Sequence, residues 1–340
     1  MSYEIRNNKF NSYLEKWSKD YEIYGPVRIL GGGRFSDTDN IRYEKIKNIE
    51  DIEYKEKSIF SAKEVLFPVT ETIFNIQEER LSEPNYENKK YLVFLRSCDI
   101  HAIDRMDNIF LKNGSFQDPY YKRRRENTKF ILMGCNNSFE NCFCVSMETN
   151  KTDNYSMGIK FFDDKVYIEV KDPIFQEEFK GENEVEFTPD YVLENHYNVT
   201  VPDVKKLDFS LFNDEMWKDY ENRCIACGRC NFSCPTCTCF TTTDIHYKEN
   251  QDNGERRRVW AGCQVDKFTD MAGGHSFRRD YGSRMRFKTM HKVYDFKKRF
   301  GETMCVGCGR CDDRCPEYIS FARCINLVSE KVNEENKEEK

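Results

Sequence analysis

A mixed α/β N-terminal region followed by a mainly helical C-terminal region built around cysteine clusters is the fold class this sequence predicts. Three observations lead there. Short apolar runs alternate with helical patterns over roughly the first 200 residues. Cysteines recur at fixed spacings after residue 223. The length of 340 residues suits two domains better than one.

In the N-terminal region, Ser58–Ala62, Tyr91–Leu95, Lys129–Met133, Lys160–Phe162 and Val166–Val170 read as strands. Asp99–Phe110 and Ile174–Phe179 carry helical patterns between them. The polar stretch Thr188–Asp208, with Val201-Pro202-Asp203 inside it, reads as a linker. An amphipathic segment, Phe212–Asn222, then leads into the cysteines. The expected division is therefore 1–208, 209–328 and a charged tail over 329–340.

Composition supports packed cores: hydrophobic residues make up 39%, with 26 Phe and 19 Tyr. A net charge of −6 gives no global case for nucleic acid or an anionic membrane. No apolar run approaches transmembrane length, and the first residues show no apolar core of a secretion signal. A cytoplasmic protein is expected. Sixteen cysteines in a reducing compartment then point to metal binding or catalysis before disulfides.

Their spacing decides between these. Cys224-x2-Cys227-x2-Cys230-x3-Cys234-Pro235 and Cys305-x2-Cys308-x2-Cys311-x3-Cys315-Pro316 are each the run that wraps one [4Fe–4S] cluster in bacterial ferredoxins. Three cysteines two residues apart make a tight loop around one face of the cube. Gly228 and Gly309 let that loop come close, and the proline ends it. Zinc sites pair two cysteines and then leave a gap, which neither run does. In two-cluster ferredoxins the fourth cysteine serves the other cluster. One cluster is thus expected on Cys224, Cys227, Cys230 and Cys315, the other on Cys305, Cys308, Cys311 and Cys234. The C-terminal region is therefore read as a two-cluster ferredoxin-like domain. Such a pair passes single electrons and does no bond chemistry.

Seventy residues separate the two runs. Within them, 275–299 holds Arg278, Arg279, Arg284, Arg286, Lys288, Lys292, Lys297, Lys298 and Arg299 against Asp280 and Asp295. This is a docking face, a counter-charge to anionic clusters, or a solvated helix face.

Eight cysteines remain. Cys98 and Cys135 follow expected strands, and Cys142-Phe-Cys144 would point both sulfurs one way in an extended segment. These four could hold a third [4Fe–4S] cluster, with zinc or plain burial as rivals. Asp99 and His101 could support or replace a ligand there. Cys237, Cys239 and Cys263 show no fourth partner and are read as packing around the cluster module; Cys324 is read as core. Gly31-Gly32-Gly33 lacks the frame of a phosphate loop. The five histidines show no close metal pairing, and no flavin or nicotinamide fingerprint stands out. Electrons must then come from a partner.

Taken together, these residues resemble the iron–sulfur electron-transfer component of the anaerobic sulfite reductase complex. The resemblance lies in 224–240, where Cys-Pro-Thr-Cys-Thr-Cys-Phe240 follows the first run, in 305–321, in Leu95–Ile103 and in Gly134–Met147. In looser form the same strings occur in the β subunit of cytoplasmic nickel–iron sulfhydrogenases. The resemblance implies a relay subunit, not the catalyst. An NADH-oxidising flavin subunit would supply electrons, and a sirohaem subunit would reduce sulfite to sulfide.

Overall fold

The computed structural model describes every residue except 34, 36, 79, 208, 250, 251, 339 and 340. Its described strands, in chain order, are β1 (Ser2–Arg6), β2 (Tyr21–Ile29), β3 (Asn40–Lys45), β4 (Thr70–Gln77), β5 (Arg80–Ser82) and β6 (Lys90–Leu95), followed by β7 (Thr128–Met133), β8 (Met157–Phe161), β9 (Lys165–Val170), β10 (Asn183–Glu184), β11 (Phe240–His246) and β12 (Asn253–Trp260).

Eight of them form one sheet in the order β10-β1-β9-β8-β7-β6-β2-β3. Its centre, β2-β6-β7-β8, is parallel, and its flanks are antiparallel. Burial explains the difference. Strand β6 (KYLVFL) is apolar on both faces and buried at every position after its first, as a central parallel strand must be. Strand β9 alternates half-buried and buried, which suits a flank. Helix Asn7–Trp17 buries Phe10, Leu14 and Trp17 against one face with Phe175 and Phe179. Helix Ser97–Leu111 covers the other with Ile100, Ile103, Met106 and Phe110.

Of the expected strands, Tyr91–Leu95, Lys129–Met133 and Val166–Val170 fall within β6, β7 and β9, and Lys160–Phe162 overlaps the end of β8. The expected strand Ser58–Ala62 is irregular instead. It bonds to the sheet through the Ile59 amide, which donates to Ile41 O of β3 at 2.9 Å, while the Ser58 carbonyl and hydroxyl accept from Arg310 at 3.0 and 3.1 Å. The triple glycine sits between β2 and β3, an antiparallel pair, and not between a strand and a helix.

The second region holds short helices, Met216–Arg223, Arg229–Phe232, Tyr281–Met290, Phe296–Phe300 and Arg310–Arg314. It also holds the β11–β12 hairpin. That hairpin joins β4 and β5 in a second, antiparallel sheet of order β11-β12-β4-β5, which draws strands from both regions of the chain. A buried ion-pair group ties it down: Arg258 of β12 bonds Glu71 of β4 and Asp118, each at 2.6 Å.

The stretch expected as a linker is irregular but packed. Asp190 backbone lies where a Cβ on Gly134 would be, at 2.7 Å, and buried Asn195 reaches Cys144. Helix Phe321–Glu338 runs through most of the stretch expected as a tail; residues 339 and 340 lie outside the described residues. No described helix is long and apolar enough to cross a membrane.

Candidate iron–sulfur sites

The two cysteine runs repeat one backbone conformation. Ala226 and Gly228 in the first run, and Gly307 and Gly309 in the second, all have positive φ, between 54° and 70°. Each run then enters a short helix, Arg229–Phe232 or Arg310–Arg314. The left-handed turns curl the loop so that the cysteines face inward. One difference matters. A Cβ on Gly307 would sit 2.5 Å from the Phe143 carbonyl oxygen, whereas the equivalent Ala226 carries its methyl group. The second loop is the one that the N-terminal region docks on.

Cys224, Cys227, Cys230 and Cys315 line one cavity, with Cys311, Lys288, Met285, Ile319 and Phe321 around them. The space is about 460 Å³ including its open mouth. Cys227 is exposed there; Ile225 in the same lining and Tyr318, whose amide donates to Cys315 O, are 56% and 87% exposed. Cys305, Cys308 and Cys311 neighbour Cys234 electrostatically, deeper in the protein. Burial pushes the Cys305 and Cys308 thiols up to about 12 and about 11. Such thiols are not free nucleophiles at neutral pH; a bound cation is what deprotonates them.

The four N-terminal cysteines meet beside this second set. Cys98 opens helix Ser97–Leu111 at the carboxyl end of β6, and Cys135 follows β7. These ends of parallel strands are where α/β folds build sites. Cys142 and Cys144 neighbour Cys135, and Cys98 neighbours both Cys144 and Cys308. The docking is onto the backbone of the second run: Phe143 N–H donates to Gly307 O at 2.8 Å, and Cys142 Sγ to Cys308 O at 3.4 Å. Thr149 Oγ1 donates to Val306 O at 2.6 Å. Cys135 lines a surface cleft with Arg96, whose guanidinium donates to its sulfur at 3.2 Å.

Asp99 does not face the thiols as a ligand. It takes two bonds from Arg310, at 2.6 and 2.9 Å, with both side chains 2% exposed. His101 contacts the Lys151 carbonyl and Arg105. Both are removed from the candidate ligands. The Asp99–Arg310 pair instead clamps the N-terminal helix to the second cysteine loop.

The basic stretch divides. Lys288 and Lys292, four residues apart and so on one helical face, are 3% and 2% exposed. Their neighbours are thiols: Cys230 and Cys311 for Lys288, Cys234 and Cys305 for Lys292. Lys292 Nζ donates to Thr236 Oγ1 at 2.8 Å, and that oxygen lies 3.4 Å from Cys234 Sγ. Arg284 pairs with Asp266, while Lys298 and Arg299 face solvent. The inner two lysines therefore face the cysteines, and the end of the stretch faces solvent.

Lys57, Lys63, Asn195 and Asn231 also touch the cysteine loops and carried no sequence signal. Lys57 bonds Cys308 O and Asp313 across the docked loops. Arg310, in contrast, sits inside a cysteine run and could have been singled out.

The donor chemistry fits iron–sulfur cubes: thiols in sets of four, all but Cys227 buried or half-buried, with Lys57, Arg96, Lys288 and Lys292 beside them. Among the described residues, no three His, Cys, Asp or Glu side chains are drawn together onto a single ion. A cube asks for something else, one thiolate at each of four separate corners.

Residues 223–319 match the 4Fe-4S dicluster domain family. The C-terminal region is a [4Fe–4S] dicluster domain, and the chain is an iron–sulfur electron-transfer protein. Over nearly its full length it is similar to sulfhydrogenase 2 subunit beta of Pyrococcus furiosus, with 28% identity over 343 residues, 96% of this chain and 98% of that one. No solved structure matches.

Proposed function

We propose that this chain is the relay subunit of a cytoplasmic oxidoreductase complex, carrying single electrons along three [4Fe–4S] clusters. One cluster takes Cys224, Cys227, Cys230 and Cys315. The second takes Cys305, Cys308, Cys311 and Cys234. The third takes Cys98, Cys135, Cys142 and Cys144. One observation carries the reading: the N-terminal cysteine loop is hydrogen-bonded directly to residues 306–308 of the second run. The path would then have a buried middle and two ends near the surface, one at Cys227 and one at the Cys135 cleft. Ile225 and Tyr318 suit the first end to a protein partner. What the chain contributes is placement, counter-charge and exclusion of water; the clusters supply the redox chemistry.

Two partner sets are supported. The near full-length likeness to a sulfhydrogenase subunit favours the β position of a nickel–iron hydrogenase. Cys-Pro-Thr-Cys-Thr-Cys-Phe240 and the strings around Cys98 and Cys142 favour a sulfite reductase, in which a flavin subunit feeds this chain and a sirohaem subunit receives from it. Anaerobic isolation of the complex separates them. Sirohaem absorption with NADH-dependent sulfide formation identifies the second set, and nickel with hydrogen uptake the first. A chain isolated with neither partner, whose clusters no reductant reduces, would overturn the relay itself.

A further inference from the structure

Three thiols outside these sets also meet. Cys239 immediately precedes β11 and Cys263 lies just past β12, at the hairpin end where Phe240 pairs with Trp260. The antiparallel register thus brings both cysteines together, and the Ala261 amide closes that end by donating to Cys239 O at 2.9 Å. Cys237 joins them. The Asn231 side-chain amide donates to Cys237 Sγ at 3.6 Å and to Cys263 Sγ at 3.4 Å. Asn231 is 1% exposed and held in place, with its oxygen accepting from the Gln264 amide at 3.0 Å. Gly262 allows this approach, since a Cβ there would lie 2.8 Å from that oxygen.

Charge points the same way. Lys63, 4% exposed, lies 3.9 Å from the Trp260 ring centroid and donates to Cys237 O at 2.8 Å and Cys234 O at 3.1 Å. Among the described residues it has no carboxylate partner, and its neighbours are Cys237, Cys234 and Cys239. A buried ammonium needs an anion beside it, and metal-held thiolates at these positions would supply one. Cys324 shows the contrast: it packs in the core against Thr289 and Ile325, as a small apolar residue does.

We propose that Cys237, Cys239 and Cys263 hold an additional iron–sulfur cluster, ligated by three thiolates, beside the Cys234 corner of the dicluster domain. Asn231 donates to its sulfur ligands and Lys63 balances its charge. The site forms a side branch of the relay at the base of the β11–β12 hairpin. This rests on the iron–sulfur loading of the dicluster domain.

The test is iron, labile sulfide and zinc on the full chain, purified anaerobically, with electron paramagnetic resonance before and after dithionite. Cys263→Ala and Cys239→Ser should each lose about three to four iron per chain, with the dicluster signals retained. Cys324→Ala should lose none. Full iron in both variants, or iron replaced by stoichiometric zinc in the wild type, overturns the further cluster and leaves the dicluster reading standing. If Cys263→Ala loses all its iron, the half-buried Cys239 position decides: full iron in Cys239→Ser overturns the proposal, and selective loss supports it. A wild type without iron would overturn both readings.

Discussion

Replacing Lys292 by methionine removes one positive charge from the wall of the second cluster site while keeping most of the side-chain volume. The ammonium is 2.8 Å from Thr236 Oγ1, which is 3.4 Å from Cys234 Sγ. Taking a separation of about 6–8 Å to the cluster charge and an effective dielectric of about 20, the Coulomb energy is roughly 2–3 kcal/mol. For a one-electron couple this is about 90–120 mV. The sign follows from charge: an added electron is stabilised by the ammonium, so its loss makes reduction harder. Lys292→Met should lower one midpoint potential by roughly 100 mV in a redox titration followed by electron paramagnetic resonance. The shift should barely respond to salt, because the site is buried. Lys298→Met, on the exposed end of the same stretch, should shift no potential beyond about 20 mV. Full iron in Lys292→Met with every potential within about 20 mV of wild type would refute the counter-charge argument.

Gly307→Ala forces a methyl group against the Phe143 carbonyl at positive φ. It should destabilise the protein by about 1–3 kcal/mol from strain alone, read as a fall in Tm, and loosen the N-terminal cysteine loop. Ala226→Gly in the first run should be near neutral, since relieved strain and added unfolded-state entropy are each about 1 kcal/mol. Asp99→Asn leaves Arg310 buried without its carboxylate and should cost about 3–5 kcal/mol in denaturant unfolding. The double variant Asp99→Leu with Arg310→Met should recover much of that loss, because it removes both charges from the interior.

Sequence reached the dicluster domain because its ligands are local: four cysteines within eleven residues need no tertiary knowledge. Strands β6 and β7 were legible for a related reason, being apolar on both faces. Flank strand β1 and the charged hairpin β11–β12 were not, since their pairing depends on β9, β10 and β4 far away in the chain. The same limit hid the Asp99–Arg310 clamp, whose partners are 211 residues apart. It also made Asp99 look like a spare ligand, because an acidic residue beside Cys98 reads the same in sequence whether it faces a metal or an arginine. Lys288 and Lys292 were indistinguishable from their solvated neighbours until the helix face they occupy was known.

The joining of the N-terminal cysteines to the relay is tested most directly by iron and labile sulfide on Cys142→Ala against the wild type, both purified anaerobically. The account predicts a loss of about four iron and four sulfide per chain, with the dicluster signals still present on reduction. Unchanged iron, with unchanged spectra, would contradict it and return Cys98, Cys135, Cys142 and Cys144 to the role of buried thiols.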